Sequence, residues 1–252
     1  RSEYYSDNEK YSIIYGTFAL VTFNINEIRV IYNATQLFDI YHPIYIPYLF
    51  CTSVLYEICS IKKFLVIHAS CIVGAKGGIL FSGSKGSGKS TLALGLALSR
   101  KYRYISDDKL IFNNNKGIVF AFPDVIRLSG DMRGHLLKER RTSDKKFRGK
   151  YTLNSLELPV EKILIASPRI LFFPHIDEKV EKKFDSEKIS SAQALERILE
   201  HRIVAFESDW EVFQEQILSL ITSTSCFSLF MGTDVDYNLE RLDAFVNQTL
   251  GD

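Results

Sequence analysis

One stretch of the chain, residues 79–100, limits what the protein can fold into more than any other. It reads ILFSGSKGSGKSTLALGLALSR, and Gly83, Gly88, Lys89 and Ser90 fit the spacing G-x-x-x-x-G-K-[ST] of a phosphate-binding P-loop. The apolar run before the glycines predicts a buried strand, and the apolar run after Lys89 predicts a helix packed against a sheet. This order of strand, loop and helix predicts an α/β fold.

Each residue type of the motif has a chemical role. Glycines at 83, 86 and 88 allow positive φ and turn backbone N–H groups toward an anion, while the helix N-terminus adds its positive dipole end. The Lys89 ammonium can then reach the β- and γ-phosphates, and the Ser90 hydroxyl can hold Mg²⁺. We therefore predict ATP and Mg²⁺ as cofactors. The predicted nucleotide-binding residues are Gly83, Ser84, Lys85, Gly86, Ser87, Gly88, Lys89, Ser90 and Thr91.

Composition and charge narrow the classes of partner. The chain has 252 residues, 46% of them hydrophobic, which suffices for one large core with a small appendage. A net charge of +1 argues against binding to nucleic acid or a membrane surface by charge. The four cysteines form no C-x-x-C pair, and with no signal-peptide pattern they indicate a cytoplasmic protein with reduced thiols. The chain begins at Arg1 rather than Met, so the sequence leaves open whether a segment precedes it. The sequence also leaves open whether the protein forms a homo-oligomer.

The remaining patterns divide the chain into a small part, 1–63, and a P-loop core, 64–252. Residues 1–10 are polar and predict a loose start, and Tyr41–Phe64 predicts a helix. Three β-rich runs between them predict an antiparallel meander: Tyr11–Tyr15, Phe18–Phe23 and Glu27–Tyr32.

The P-loop core is predicted to be a mixed sheet with helices packed on it. A hairpin after Leu65 leads into the P-loop strand. The further predicted strands are Tyr102–Ser106, Leu110–Phe112, Ile118–Phe122, Ile126–Leu128, Ile163–Ala166, Arg169–Phe173 and Phe227–Met231, and the helices are Ala192–Glu200, Trp210–Thr222 and Tyr237–Leu250. Residues 130–155 are rich in Lys and Arg and predict a mobile loop. This loop is either a solvated segment, or a lid or docking surface for an acidic substrate.

Two adjacent carboxylates, Asp107 and Asp108, follow the strand that ends at Ser106. Ligands of α/β sheets bind at the ends of such strands, where one carboxylate can accept a hydroxyl proton while the other faces the metal. An Asp-Asp turn without function is the alternative. Asp124 is a further candidate ligand for the metal, and His68 could reach the edge of the sheet where phosphate binds. Arg127 and Arg169 could stabilise phosphate charge; the simpler alternative is that they are surface arginines.

These residues together resemble the catalytic core of HPr kinase/phosphorylase. The resemblance rests on His68-Ala69, on G-S-K-G-S-G-K-S at 83–90, and on Ser106-Asp107-Asp108. The later segments Phe122-Pro123, Phe172-Phe173-Pro174 and Ser190–Leu195 are similar to the looser group of HPr-kinase-related proteins. Some of that group belong to peptide-tailoring systems and include kinases of lasso-peptide precursors. The resemblance covers about 65–130 and, more weakly, 165–245.

The resemblance implies a P-loop core of the HPr-kinase type and a role for each site residue. Lys89 and Ser90 would bind phosphates and Mg²⁺, and Asp107 would be the base for the acceptor serine. Asp108 and His68 would be its catalytic neighbours in the site. The pattern of adjacent carboxylates, rather than the resemblance, predicts that Asp108 faces the metal beside Ser90.

The chain also departs from that family's pattern, with Ala69 after the histidine and Thr91 where the bacterial enzymes usually carry Glu. The downstream glycine-rich signature is not evident. These departures favour kinase over phosphorylase activity and an acceptor other than HPr. We predict an ATP-dependent kinase of a serine or other hydroxyl on a peptide or protein, such as a lasso-peptide-type precursor. A small-molecule kinase, a P-loop NTPase and a nucleotide-binding pseudo-kinase module are the alternatives.

Overall fold

The computed structural model divides the chain into two compact units, Arg1–Lys62 and Lys63–Asp252. The boundary lies next to the predicted one between residues 63 and 64, and the assignment of a function to each part stays a prediction. The structure describes residues 2–7, 10–15, 19–23, 28–32, 52, 54–56, 58–59, 62–99, 101–122, 126–138, 145–147, 150–153, 158–200 and 210–251.

The smaller unit contains a four-stranded antiparallel meander. Its strands are β1 (Ser2–Asp7), β2 (Lys10–Tyr15), β3 (Ala19–Phe23) and β4 (Ile28–Tyr32). The predicted loose start at residues 1–10 was wrong, because β1 pairs along its whole length with β2. Tyr4 and Tyr5 favour the extended conformation despite their polar neighbours. The predicted helix at Tyr41–Phe64 lies largely outside the described residues, although Val54, Leu55 and Tyr56 are helical.

The larger unit contains thirteen strands and five α-helices among its described residues. The strands are β5 (Leu65–Ile67), β6 (Ala69–Gly74), β7 (Gly77–Ser82), β8 (Arg103–Ser106), β9 (Leu110–Asn113), β10 (Ile118–Ala121), β11 (Ile126–Ser129), β12 (Lys145–Phe147), β13 (Lys150–Leu153), β14 (Ile165–Ala166), β15 (Pro168–Ile176), β16 (Phe184–Lys188) and β17 (Ser225–Met231). The helices are α1 (Lys89–Leu98), α2 (Gly130–Leu137), α3 (Ser191–Glu200), α4 (Trp210–Thr222) and α5 (Val235–Gly251). No helix in the described ranges has the length and apolar character needed to span a bilayer.

A six-stranded sheet in the order β16-β17-β15-β7-β6-β8 forms the centre of this unit. β7, β15 and β17 are parallel, whereas β6, β8 and β16 pair antiparallel with their neighbours, so the predicted mixed α/β sheet is confirmed. Ser82 at the end of β7 pairs with Ala69 at the start of β6, and Ser106 at the end of β8 pairs with Cys71. The loops after β7 and β8 and the residue before β6 therefore meet at one edge of the sheet.

Side chains alternate between two faces of this sheet, and each face has its own core. Phe81 and Phe172 stack with ring centroids 5.6 Å apart on the face covered by α1 and α5. Leu80 and Leu171 lie on the other face, against α3, α4 and the antiparallel sheet β14-β10-β9-β5. A strand buried on both faces is apolar at every position, which explains the continuous apolar run before the P-loop.

The described residues of the basic segment at 130–155 form a helix and a hairpin, so the prediction of a loop there was wrong, whereas its mobility stays a prediction. It contains α2 and the hairpin of β12 and β13, and β13 pairs with β11. The Ser129 hydroxyl caps α2 by accepting from the Met132 N–H, and Leu137 at its end is buried. The Arg133 guanidinium lies 5.3 Å from the centroid of the Tyr151 ring. The prediction relied on the number of charged residues in the segment, which does not reveal these few stabilising contacts.

Candidate active site

The loop between β7 and α1 has the backbone conformation of a phosphate cradle. Gly83, Gly86 and Gly88 have φ of 149°, 92° and 95°. These values lie in the region that glycine adopts without the strain that a side chain would cause. Gly88 is the N-cap of α1, so the N–H groups of the first helical turn open onto the loop.

The P-loop packs closely against the end of β15, and the side chain of Lys89 fills its interior. A Cβ built on Gly88 would lie 3.2 Å from Ile176 Cδ1, where the parallel strand β15 ends. The buried Lys89 Nζ donates to the carbonyl oxygens of Gly83 and Ser84, both at 2.8 Å. The ammonium is therefore held inside the curve of the loop, within reach of an anion bound there.

Two observations test whether this loop suits a nucleotide phosphate. The Ser87 Oγ is buried and has no hydrogen-bond partner among the described atoms. A Cβ on Gly86 would meet no atom within 4 Å, so the top of the loop is open. An unsatisfied hydroxyl, an open backbone and an adjacent ammonium fit the acceptor oxygens of a phosphate. The residues present therefore fit the phosphate groups of a nucleotide such as ATP.

Asp107 is the most deeply buried carboxylate of the site, with 5% of its surface exposed. The Ser70 hydroxyl donates to its Oδ1 at 2.6 Å, and the Ser90 hydroxyl also donates to this carboxylate. Burial raises the pKa of Asp107, and the hydrogen bonds from Ser70 and Ser90 oppose that shift only in part. The Ser90 hydroxyl and the Asp107 carboxylate are oxygen donors of the kind that Mg²⁺ takes in addition to phosphate oxygens.

Asp108 occupies a strained turn directly after this carboxylate. Its φ is 68°, and the Lys109 N–H donates across it to the Asp107 carbonyl oxygen at 2.8 Å. A hydrogen bond from residue i+2 to residue i with positive φ between them is the pattern of the rarer, strained γ-turn. Strain of this kind persists where the surrounding structure holds it, and it concentrates at functional sites.

The Asp108 side chain lies between a histidine and a lysine. His68 Nδ1 is 3.2 Å from Asp108 Oδ1, and Lys109 Nζ is 3.0 Å from Asp108 Oδ2. Burial lowers the pKa of His68; Lys89 and Lys109 lower it further, whereas the Asp108 carboxylate opposes the shift. The imidazole is therefore neutral at neutral pH. The P-loop lysine, Lys89, and Lys109 both lower the pKa of His68. The P-loop and the His68–Asp108 pair therefore form one electrostatic site.

The structure brings together five of the residues selected from sequence: His68, Lys89, Ser90, Asp107 and Asp108. Of the remaining P-loop candidates, Ser84, Lys85 and Gly86 are exposed, whereas Ser87 is buried and Thr91 half-buried. Arg169 is exposed at the opposite end of the sheet, beside Gly77, and does not belong to this site. Asp124 and the side chain of Arg127 lie outside the described residues.

Two residues of the site were not selected from sequence. Ser70 carries the hydroxyl of the otherwise apolar strand β6. Because a buried hydroxyl requires a hydrogen-bond partner, its position in that strand could have indicated a polar contact. Lys109 follows the two carboxylates, and nothing in its local pattern distinguishes it from a surface lysine.

No protein-family model matches the chain, and no curated protein matches it. Among solved structures, the HPr(Ser) kinase/phosphatase from Coxiella burnetii matches with 16% sequence identity and a TM-score of 0.35. The match covers 73% of this chain and 88% of that chain. At this identity and TM-score the likeness carries no argument about activity. The resemblance to HPr-kinase-related proteins therefore stays a prediction.

Proposed function

We propose that the protein is an ATP-dependent phosphotransferase that phosphorylates a serine or other hydroxyl on a peptide or protein. The proposal rests on one observation: the P-loop shares a sheet edge with two carboxylates and a histidine. Ser90 donates to Asp107, and His68 contacts Asp108 at 3.2 Å. Phosphoryl transfer needs a phosphate cradle, a metal-side carboxylate and a group that orients the nucleophile, and this edge offers a candidate for each.

The P-loop would bind the nucleotide through its backbone N–H groups and the Lys89 ammonium. Ser90 and Asp107 would hold Mg²⁺, which when bound neutralises charge on the phosphates. Lys89 donates to two carbonyl oxygens of the loop and would exchange these for phosphate oxygens. The exchange is favoured because phosphate oxygens carry negative charge and attract the ammonium more strongly than neutral carbonyl oxygens do.

The His68–Asp108 pair would take the proton of the acceptor hydroxyl. A neutral imidazole that donates Nδ1–H to Asp108 Oδ1 leaves Nε2 as a proton acceptor. The side chains of His68 and Asp108 are 24% and 31% exposed, so an acceptor can approach them. Asp107 is far less accessible and already accepts two hydroxyl hydrogen bonds. The sequence predicted that Asp107 is the base and that Asp108 faces the metal. These contacts favour the reverse, with Asp107 on the metal side and the His68–Asp108 pair as the base.

The test is transfer from γ-labelled ATP to synthetic serine peptides, including lasso-type precursors, with Ser→Ala peptides as blanks. Label on a peptide supports the phosphotransferase. Release of free phosphate alone indicates an NTPase, and ATP binding without turnover indicates a pseudo-kinase module.

Single-turnover transfer across a Mg²⁺ titration separates the two assignments of the base. We expect His68→Gln to slow transfer by about 10²–10⁴-fold with an unchanged Mg²⁺ midpoint, since it removes the proton acceptor. Asp107→Asn should instead raise the Mg²⁺ concentration required. His135→Gln is the matched control, because His135 forms a second His–Asp pair, with Asp236 at 3.0 Å. If Asp107→Asn slows transfer without moving the Mg²⁺ midpoint, Asp107 is the base.

A further inference from the structure

We infer that Lys109 is a positioning residue, which fixes the Asp108 carboxylate so that Asp108 in turn orients His68. The inference deepens the proposed phosphotransfer function and rests on it for its catalytic consequence. Its geometric part concerns only three side chains, and it can be tested on the protein without any acceptor.

The two oxygens of Asp108 have different partners. Oδ1 lies 3.2 Å from His68 Nδ1, and Oδ2 lies 3.0 Å from Lys109 Nζ. A carboxylate held on one oxygen can rotate about its Cβ–Cγ bond, because that terminal torsion is broad. A second contact on the other oxygen restricts this rotation. The Lys109 ammonium therefore presents Oδ1 to the imidazole.

Lys109 is itself held in place, which distinguishes it from a flexible surface lysine. Its side chain is only 14% exposed, and its ammonium lies 5.5 Å from the centroid of the Phe122 ring. A cation over an aromatic face at this distance is attracted by the ring quadrupole. The Lys109 backbone N–H also closes the turn around Asp108. Backbone and side chain of one residue thus fix both the turn and the carboxylate at its tip.

The chemical consequence follows from the tautomer of His68. A carboxylate that accepts from Nδ1–H keeps the second nitrogen free as an acceptor, and partners of this kind usually affect activity by about 10–100-fold when removed. Loss of the Lys109 ammonium should therefore lower the rate of transfer and leave ATP binding unchanged. A lysine that contributed only to stability, or that acted on His68 only through its charge, would leave the Nδ1–H of His68 in place.

The test uses Lys109→Met, which keeps the length of the side chain and removes its charge, and Lys109→Arg, which keeps the charge. The first readout is ¹H–¹⁵N NMR of the histidine rings of the full chain, with the His68 Nδ1–H signal assigned by its loss in His68→Gln. The second is kcat and the KM for ATP in label transfer to serine peptides. Lys101→Met is the matched control, because Lys101 pairs with Asp243 at 2.6 Å.

We expect Lys109→Met to lose the His68 Nδ1–H signal and to lower kcat by about 10–100-fold with the KM for ATP within about twofold. Lys109→Arg should retain the signal and most of the rate, and Lys101→Met should match wild type. An unchanged His68 signal in Lys109→Met overturns the inference, whatever the rate. If no peptide is labelled by wild type, the proposed function fails, and the NMR signal still decides the role of Lys109. If Lys109→Met does not fold, loss of the signal in Lys109→Arg overturns the inference and its retention supports it.

Discussion

Replacement of Asp107 by Asn should make the nucleotide-free protein more stable while impairing its proposed chemistry. Burial raises the pKa of Asp107 in the folded protein. A carboxyl with a raised folded pKa contributes stability that is present below its unfolded pKa, near 3.9, and lost as pH rises through its folded pKa. Above that range the ionised carboxylate is a cost that Asn does not carry.

The sign of the effect follows from the direction of the pKa shift, because an ionised carboxylate is less favourable in this buried position than a neutral amide. Ser70 and Ser90 can still donate to the amide oxygen of Asn, so the two hydrogen bonds are weakened rather than lost. We expect Asp107→Asn to raise the free energy of unfolding at pH 8 by about 0.5–2 kcal/mol, the usual range for a single stabilising substitution.

The assay is urea unfolding of wild type and variant between pH 4 and pH 8 without nucleotide or Mg²⁺. The single tryptophan, Trp210, lies in the larger unit, so its fluorescence reports on the unit that holds Asp107. The stability difference should be largest at pH 8 and should shrink as pH falls and the wild-type carboxyl becomes protonated.

Asp243 provides a control of opposite sign. Burial raises the pKa of Asp243, but hydrogen bonds from Lys101 and Tyr102 outweigh this effect, and the net pKa is lowered. Its contribution is therefore present above the unfolded pKa and lost as pH falls through the folded pKa. Asp243→Asn should destabilise the protein at pH 8, and this loss should shrink toward pH 4. If Asp107→Asn is also less stable than wild type at pH 8, the two hydroxyls outweigh burial and the reasoning is refuted.

Three further predictions concern the nucleotide and the backbone. Lys89→Ala should weaken ATP binding by about 10–100-fold in calorimetry, because a charge-assisted hydrogen bond to phosphate is lost, and equal affinities would refute the P-loop assignment. Gly232→Ala should lower the free energy of unfolding by about 1–3 kcal/mol, since a Cβ built on Gly232 would overlap the Glu181 carbonyl oxygen. Gly134→Ala, in α2 with no atom within 4 Å of the built Cβ, should raise it by about 0.5–1 kcal/mol. Wild-type stability of Gly232→Ala would contradict that close approach.

The P-loop could be predicted because its parts are contiguous in sequence. The strand before it, the glycines at positive φ and the helix from Lys89 each follow from a local pattern. The convergence of Asp107 with Ser90 was also accessible, since strand ends of an α/β sheet share an edge. The roles of Asp107 and Asp108 could not be predicted, because burial and hydrogen-bond partners decide them. One such partner, Ser70, lies 37 positions from Asp107 in the sequence.

Elements that depend on distant partners escaped sequence reasoning. β16 has no run of buried apolar side chains, and it is a strand because it pairs with β17 at the edge of the sheet. α2 has two glycines and the charged Asp131 and Arg133 among its eight residues, and it is anchored by the buried Leu137. Lys109 differs from an ordinary surface lysine only because Phe122 and Asp108 lie beside it.

The hairpin of β6 and β7 makes the site sensitive to a turn at the far end of the sheet. Gly74 pairs with Gly77 beside that turn, about 20 Å from the P-loop at about 3.3 Å per residue. Gly77 has φ 137°, and a built Cβ would lie 2.8 Å from the Ser167 carbonyl oxygen. Since strand faces alternate every residue, a slip of one position would turn Ser70 to the other face of the sheet. An inherited or engineered change in this remote turn would therefore give the phenotype of an active-site lesion.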